Sequence, residues 1–572
     1  MTLLSLRSPA SALIKGYTQL GQYWSTARCS PTLKTTFWAR TITSSPNCCN
    51  NAGLAHAPLQ KDIIFDSMGN TKGFPRNQTG IYPPFSIARA SPSSIHLIKG
   101  GIKDLGLASV GGEIERHSRI ETAVASPTYR TSPRFDRVPY WQKISRWQDV
   151  SEEEFLSYTW NTAKDIQGKM KLHGFLNEIL PERIPYTGQP EPTVLREDFI
   201  KDVMDGIAMA PMSIRLTPHI VSSINWNDPL NDPLSRQFIP KKSTFKPDHP
   251  KLRLDSLHET EDSPCEGLVH RYTDKCLFLA SSHCPLYCRY CTRSYAVGAN
   301  TDTVAKASLK PKLSRWNEML DYIANTPAIQ DVVISGGDSY SLAPHHLRMI
   351  GDRLLDIDHV RRFRVATKGL CVSPSRTLDP NDTWTDELIR LSNAGKRRGK
   401  HVALHTHFNH PNEFSWVTRH AAQKLFQNGV MVRNQSVLLK GVNDDAETMG
   451  KLIRELGDNN IFPYYVYAGD MVKGVEDLRT PLQTILDLEC HLRGTIAGFL
   501  MPQFVVDLPG GGGKRLAASY RTYDRATGVS TFVAPAVKGK GKEDKVYEYY
   551  DPLVSLRNRV RVEAGVPLAG GV

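Results

Sequence analysis

From about position 265 onward, two spacings of apolar residues alternate along the chain. Short apolar runs, "CLFLASS", "DVVISGG", "RFRVAT", "HVALHT", "VMVRNQSVLL" and "FPYYVYAGD", are rich in β-branched and aromatic residues and read as strands. Between them lie longer segments with a helical repeat. Trp316, Met319, Leu320 and Ile323 are spaced i, i+3, i+4, i+7, and Met449, Leu452, Ile453 and Leu456 repeat that spacing, which places each set on one face of a helix. Strands that alternate with helices predict a parallel sheet, because a parallel neighbour needs a crossover long enough to hold a helix. Six such units predict an α/β fold, a partial (β/α)6 TIM-like barrel, with a doubly wound sheet as the alternative. Most of these strands end in polar groups, "SSHC", "SGGD", "THFNHPNE", "NQS" and "YAGD", and in βα barrels functional side chains gather at those ends.

The rest of the chain divides around this barrel, taken as residues 265–500. Residues 136–264 predict an N-terminal helical domain. Ser151 followed by Glu154 is a capping box that starts a helix, and "LREDFIKDVMDGIAMA" continues the helical pattern. Residues 501–572 form a C-terminal extension with one more strand, "PQFVVDL", and a Lys/Gly run read as a solvated loop. Residues 62–135 are rich in Pro, Ser and Gly and predict a poorly ordered linker.

Charge changes the picture only at the amino end. The net charge is +13 over 572 residues, but residues 1–61 hold six Lys or Arg and no acidic residue. The rest of the excess is spread thinly, which argues against a nucleic-acid partner. The leader, with its spaced basic residues and many Ser and Thr, predicts import into the mitochondrial matrix, with a cytoplasmic location as the alternative. No run of 18 apolar residues occurs, so no membrane span is expected.

Two short stretches carry the candidate chemistry. "SSHCPLYCRYCTR" sets Cys284, Cys288 and Cys291 in a C-x3-C-x2-C pattern at a strand end. Three thiolates on one loop can hold three corners of a 4Fe–4S cluster and leave one iron open. A structural zinc site would need a fourth ligand at matching spacing, which is not evident. "QFVVDLPGGGGKR" resembles a phosphate-binding loop but fails that pattern. The first glycine position falls on Leu508, and Arg515 stands where Ser or Thr is required.

The cysteine motif, "LVHRYTDKCLFLAS" before it, and "DVVISGGD", "THFNHPNE", "NQSVLLKGVND", "PYYVYAGD" and "FVVDLPGGGGK" after it, in that order, closely resemble lysine 2,3-aminomutase, a family of radical S-adenosylmethionine enzymes. The likeness covers roughly residues 137–535. It implies a 4Fe–4S cluster on Cys284, Cys288 and Cys291, with S-adenosylmethionine chelating the open iron near Ser335, Gly336, Gly337 and Asp338. His407, Asn409, Asn434 and Gln435 resemble further polar contacts of that pocket. It also implies pyridoxal 5′-phosphate as a Schiff base on Lys514, whose glycines would let it swing, with Arg271, Tyr272 and Tyr467 near that cofactor. Arg293 matches an anchor for the substrate carboxylate, and Asp470 and Asp507 match an acidic pair for its far ammonium group.

The implied reaction is a 1,2-amino shift that turns L-lysine into β-lysine, begun by a 5′-deoxyadenosyl radical and fed by a one-electron reductant, in a homo-oligomer. An aminomutase for arginine or another amino acid, and a non-catalytic iron–sulfur or zinc protein, are the alternatives. Ser294, Tyr295, Ser339, Tyr340 and Lys368 depart from the family's usual residues, and no cysteine follows Cys490, which speaks against an intersubunit zinc site.

Overall fold

One nine-stranded sheet organises the protein. Its strands are β1 (Leu268–Val269), β2 (Lys275–Ser281), β3 (Asp331–Gly336), β4 (Arg362–Ala366), β5 (His401–Thr406), β6 (Met431–Val437), β7 (Ile461–Tyr467), β8 (Gln503–Leu508) and β9 (Gly513–Leu516). They lie side by side in the order of the chain. β2 to β8 are parallel, while β1 and β9 pair antiparallel at the two edges. A doubly wound sheet reverses its strand order at a switch point; this sheet does not, and it curls into an open half-barrel. The six expected strands are β2 to β7, each within three residues of its predicted bounds, and β8 adds a seventh parallel strand.

The computed structural model describes residues 138–185, 193–307, 309–535, 537, 542 and 544–556. The leader 1–61, the linker 62–135 and the end of the C-terminal extension lie outside the described residues.

Six long helices connect the parallel strands: α1 (Leu313–Ala324), α2 (Pro344–Asp356), α3 (Trp384–Arg397), α4 (Trp416–Gln427), α5 (Ala446–Asp458) and α6 (Leu482–Leu492), with two single-turn helices, Gly369–Val372 and Ser375–Leu378, before α3. Trp316, Met319, Leu320 and Ile323 are the buried face of α1, and Met449, Leu452, Ile453 and Leu456 that of α5. Burying each such side chain stabilises the fold by roughly 1.5–3 kcal/mol. Local chemistry fixes the helix starts as well. The Asp445 carboxylate accepts from the Thr448 amide at 2.8 Å and so caps α5.

Residues 138–264 contain short helices, among them Glu152–Leu156, Lys169–Ile179 and Arg196–Met209, and two small strand pairs. The Ser151–Glu154 capping box is formed. Phe155, Phe175 and Phe199 join the same continuous core as Trp316 and Leu388, so this stretch has no core of its own. Its loops brace the cysteine loop instead: Tyr287 N–H donates to Arg215 O and Arg289 N–H to Gln237 O.

The C-terminal extension holds more strands than the one expected; most of its Lys/Gly run lies outside the described residues. Thr522–Asp524, Val529–Val533 and Val546–Tyr550 form a three-stranded antiparallel sheet. "VYEYY" alternates buried and exposed side chains, a strand signal masked by the neighbouring Lys/Gly run. Tyr549 hydroxyl donates to Gly469 O at 2.8 Å, next to Asp470. Among the described residues no helix is long and apolar enough to cross a membrane.

Candidate active site

The glycine run is the turn of an edge hairpin. β8 and β9 pair so that Leu508 faces Gly513 and Asp507 faces Lys514. Gly510, Gly511 and Gly513 have φ of 72°, 79° and 76°, which other residues adopt only with strain. The turn is also packed tightly. A Cβ on Gly512 would lie 2.7 Å from Leu508 Cβ, and one on Gly513 would lie 2.9 Å from Tyr272 Oη. The glycines therefore serve a sharp, crowded reversal, not the loose swing expected of them. Any movement of the amine must come from the Lys514 side chain.

Lys514 Nζ donates to Asp507 Oδ2 at 2.6 Å, its backbone N–H donates to Tyr272 Oη at 2.9 Å, and Nζ lies 5.6 Å from the centre of the Tyr467 ring. Burial disfavours its charge, but the Asp507 carboxylate outweighs that and holds the amine's pKa well above its ordinary value.

Asp470 stands three residues beyond β7, within the electrostatic reach of Asp507. Burial, and then repulsion from Asp507, push its carboxyl up to about 8. Asp470 Oδ1 and Asp507 Oδ1 are both buried and accept no hydrogen bond. Such oxygens are costly unless a donor arrives. Arg293, on the cysteine loop, is gripped on two atoms by Glu259, Nε to Oε2 at 2.7 Å and Nη2 to Oε1 at 2.6 Å.

The cysteine loop follows β2. Cys284, Cys288 and Cys291 face one cavity. Burial raises all three thiols, Cys288 to about 12. Among the described residues no three His, Cys, Asp or Glu side chains, these cysteines included, are grouped to hold a single metal ion. "SGGD" abuts this loop. Gly337 N–H donates to Ser281 O, and Asp338 N–H to His283 O at 2.8 Å. A Cβ on Gly337 would lie 2.4 Å from His283 O. The glycines of this motif, expected near S-adenosylmethionine, are required in any case by the close packing of two backbones. The Asp338 carboxylate accepts from the amides of Tyr340 and Lys368, each at 2.8 Å, and burial lifts it to about 6.

The cavity, of about 340 Å³, is lined by the three cysteines, Arg293, Ser335, Gly337, Asp338, His407, Gln435, Tyr467, Asp470, Asp507 and Lys514. Thirteen positions widely separated in sequence thus converge on one space, from the C-terminal ends of β2, β3 and β5 to β8 and from β9. Arg271, Tyr272, Gly336, Asn409 and Asn434 do not line it. Arg271 is engaged by Asp262 Oδ2 at 2.7 Å and by Leu257 O. Asn434 clasps the Phe408 backbone, N–H to Oδ1 at 2.6 Å and Nδ2 to O at 3.1 Å, and Asn409 accepts from Val437 N–H at 2.9 Å. Both asparagines staple strand ends. Gln435 links His405 Nδ1, at 2.9 Å, to the Tyr467 hydroxyl, also at 2.9 Å.

Sequence reasoning missed two groups. One is the loop from Asp255 to Asp262, which pairs both site arginines through Glu259 and Asp262 and touches the hairpin through Ser256 O, 2.9 Å from Gly510 N. Its acids, clustered between basic motifs, were the available signal. The other is the buried pair of Lys368 and Glu413, 3.0 Å apart behind Cys288.

The chain is 39% identical to the L-lysine 2,3-aminomutase of Clostridium subterminale over 316 residues, 55% of this chain and 71% of that protein. It is 35% identical to the L-lysine 2,3-aminomutase of Acetoanaerobium sticklandii over 366 residues, 64% and 78% of the two chains. The chain belongs to the lysine 2,3-aminomutase family. It is an isomerase of that kind. A glutamate 2,3-aminomutase from Clostridioides difficile is 29% identical over 364 residues, 64% of this chain and 77% of that one. No family model matches the chain.

Proposed function

We propose that this aminomutase converts L-lysine to β-lysine by a 1,2-amino shift, with a 4Fe–4S cluster, S-adenosylmethionine and pyridoxal 5′-phosphate as cofactors. Bound together, these groups supply a carbon radical by one-electron cleavage and a conjugated ring that stabilises the migrating nitrogen.

The observation that carries the substrate is the pair of buried, unpartnered oxygens, Asp470 Oδ1 and Asp507 Oδ1, in the same cavity as Arg293 and Lys514. They fit a cationic side chain, and they would repel the second carboxylate of glutamate. Arg293 fits the α-carboxylate, and Lys514 is the amine that would anchor the aldehyde. The donor set fits the cluster: three thiols line one cavity, with no fourth thiol among the residues described as lining it. Tyr467 presents an aromatic face near Lys514 Nζ, suited to a flat ring. The cysteine loop, closed beneath by Gly337 and Asp338, keeps bulk water from one side of the reacting groups. Arginine is the second substrate reading, because a guanidinium also suits two carboxylates.

Anaerobic reconstitution with iron, sulfide, S-adenosylmethionine, pyridoxal phosphate and a one-electron reductant, followed by L-lysine, should yield β-lysine. Absence of both β-lysine and 5′-deoxyadenosine would refute the reading; deoxyadenosine with arginine alone would replace only the substrate. Residues 1–61 are proposed as the leader for the mitochondrial matrix, tested by fusing them to a fluorescent protein and locating it.

A further inference from the structure

Arg293 reaches the cavity with half of its binding surface already taken. A guanidinium can meet a carboxylate side-on along its Nε–Nη2 edge or along its Nη1–Nη2 end. Glu259 occupies the first, at 2.7 and 2.6 Å. Nη1 has no hydrogen-bond partner among the described residues, and Arg293 lines the cavity whereas Glu259 does not. Glu259 is 5% exposed, and the Tyr295 hydroxyl donates to its Oε2 at 3.0 Å.

Glu259 is itself fixed. Its amide donates to Asp255 Oδ1 at 3.0 Å, and its carbonyl accepts from Ser263 Oγ at 2.7 Å. Three residues earlier, Ser256 O takes the Gly510 amide of the hairpin that carries Lys514. One loop therefore sets the direction of Arg293 and touches the turn beside Lys514.

From this we infer that Glu259, steadied by Tyr295, is a positioning residue: it holds Arg293 by one edge so that its terminal end faces the cavity and selects an α-carboxylate over an uncharged α-amide. This rests on the reading of Arg293 as the carboxylate anchor. The carboxylate of Glu259 cancels the charge of Arg293, so recognition depends on the two-point geometry of the free end and not on a bare positive field. Glutamine at 259 would present one acceptor and one donor to two N–H groups, and the fork would turn.

Calorimetric titration of the reconstituted protein with L-lysine and L-lysinamide tests the inference. Wild type should prefer L-lysine. Glu259→Gln should weaken L-lysine by about 10- to 100-fold, the scale of a charge-assisted hydrogen bond, and leave L-lysinamide nearly unchanged. Tyr295→Phe, which removes only a hydroxyl, should give a smaller loss of the same kind and carries the test if Glu259→Gln does not fold. Glu259→Asp should restore part of the preference. Equal losses for both ligands would show a merely structural role, and an unchanged ratio or tighter L-lysine binding in Glu259→Gln would also overturn the inference. If wild type binds arginine or glutamate instead, the same ratio is read with that amino acid and its α-amide. A wild type that binds no amino acid overturns the anchor reading as well.

Discussion

Asp507 and Lys514 stand directly opposite each other on the last two strands of the sheet, with Nζ 2.6 Å from Oδ2. The pair joins the proposed cofactor anchor to one of the two carboxylates proposed for the substrate's far end. The two ends of the bound molecule would therefore be gauged from a single hairpin, whose reach is fixed by the backbone ladder.

Lys514→Met should leave Asp507 buried without its donor and cost about 2–3 kcal/mol in urea denaturation of the cofactor-free protein. Asp507→Asn combined with Lys514→Met should recover most of that loss. The folded-state pKa of Lys514 is raised, so its stabilisation is complete below the unfolded lysine value of about 10.4 and fades only as pH climbs through the higher folded value. An advantage of wild type that disappeared already near pH 8 would contradict the pairing.

Asp470 works in the opposite sense on ligand binding. Its carboxyl is raised to about 8 by burial and by Asp507. The folded state therefore keeps a proton that the unfolded state sheds near pH 4, and wild type should lose stability relative to Asp470→Asn as pH rises from about 4 to 8. A cationic ligand prefers the ionised carboxylate. Affinity for L-lysine should accordingly strengthen as pH rises through about 8 in wild type, beyond any change seen in Asp470→Asn. Parallel pH profiles for the two proteins would exclude this role.

Gly337→Ala places a methyl group 2.4 Å from the His283 carbonyl. Both partners are backbone, so the cysteine loop must shift. The expected cost is about 2–3 kcal/mol, with a lower ratio of bound iron to protein after reconstitution. Gly498→Ala, where a Cβ meets nothing within 4 Å, is the matched control. Normal iron loading in Gly337→Ala would show that the close approach is dispensable.

Glu413 is fully buried and holds Lys368 at 3.0 Å, the Asn409 amide at 2.5 Å and the His410 amide at 3.0 Å. Lys368→Met should destabilise by about 3–5 kcal/mol because it strands a buried carboxylate. Adding Glu413→Gln should relieve part of this. A thermal midpoint for Lys368→Met equal to that of wild type would contradict the buried pair.

The sheet was legible in the sequence because each parallel strand is an apolar run bounded by a helix with its own 3.6-residue period, as around Trp316 and Met449. The cysteines, Lys514, Arg293 and both aspartates were legible because their motifs are compact. What escaped were relations between distant segments. Nothing near Arg271 announces that Asp262 engages it, and nothing near Arg293 announces Glu259; both pairings depend on how one loop lies across the strand ends. Asn409 and Asn434 looked like ligand contacts because polar residues at strand ends have two uses, and only the Phe408 and Val437 backbone bonds reveal which one applies. The glycines of the hairpin were read as freedom, but a Cβ at Gly512 collides with its neighbours.

The strands pair in the order in which they are made. Cys284, Cys288 and Cys291 follow β2, whereas Lys514 lies on β9, the last strand of this sheet in chain order. A ribosome therefore releases the three thiols before the proposed aldehyde anchor, and because chains fold progressively as they emerge, the growing polypeptide passes through a stage with one set of these groups and not the other. A message truncated after β7 would encode a chain with the three cysteines, Arg293 and Glu259 but neither Asp470, Asp507 nor Lys514, so full-length translation is itself a condition for uniting the two chemistries.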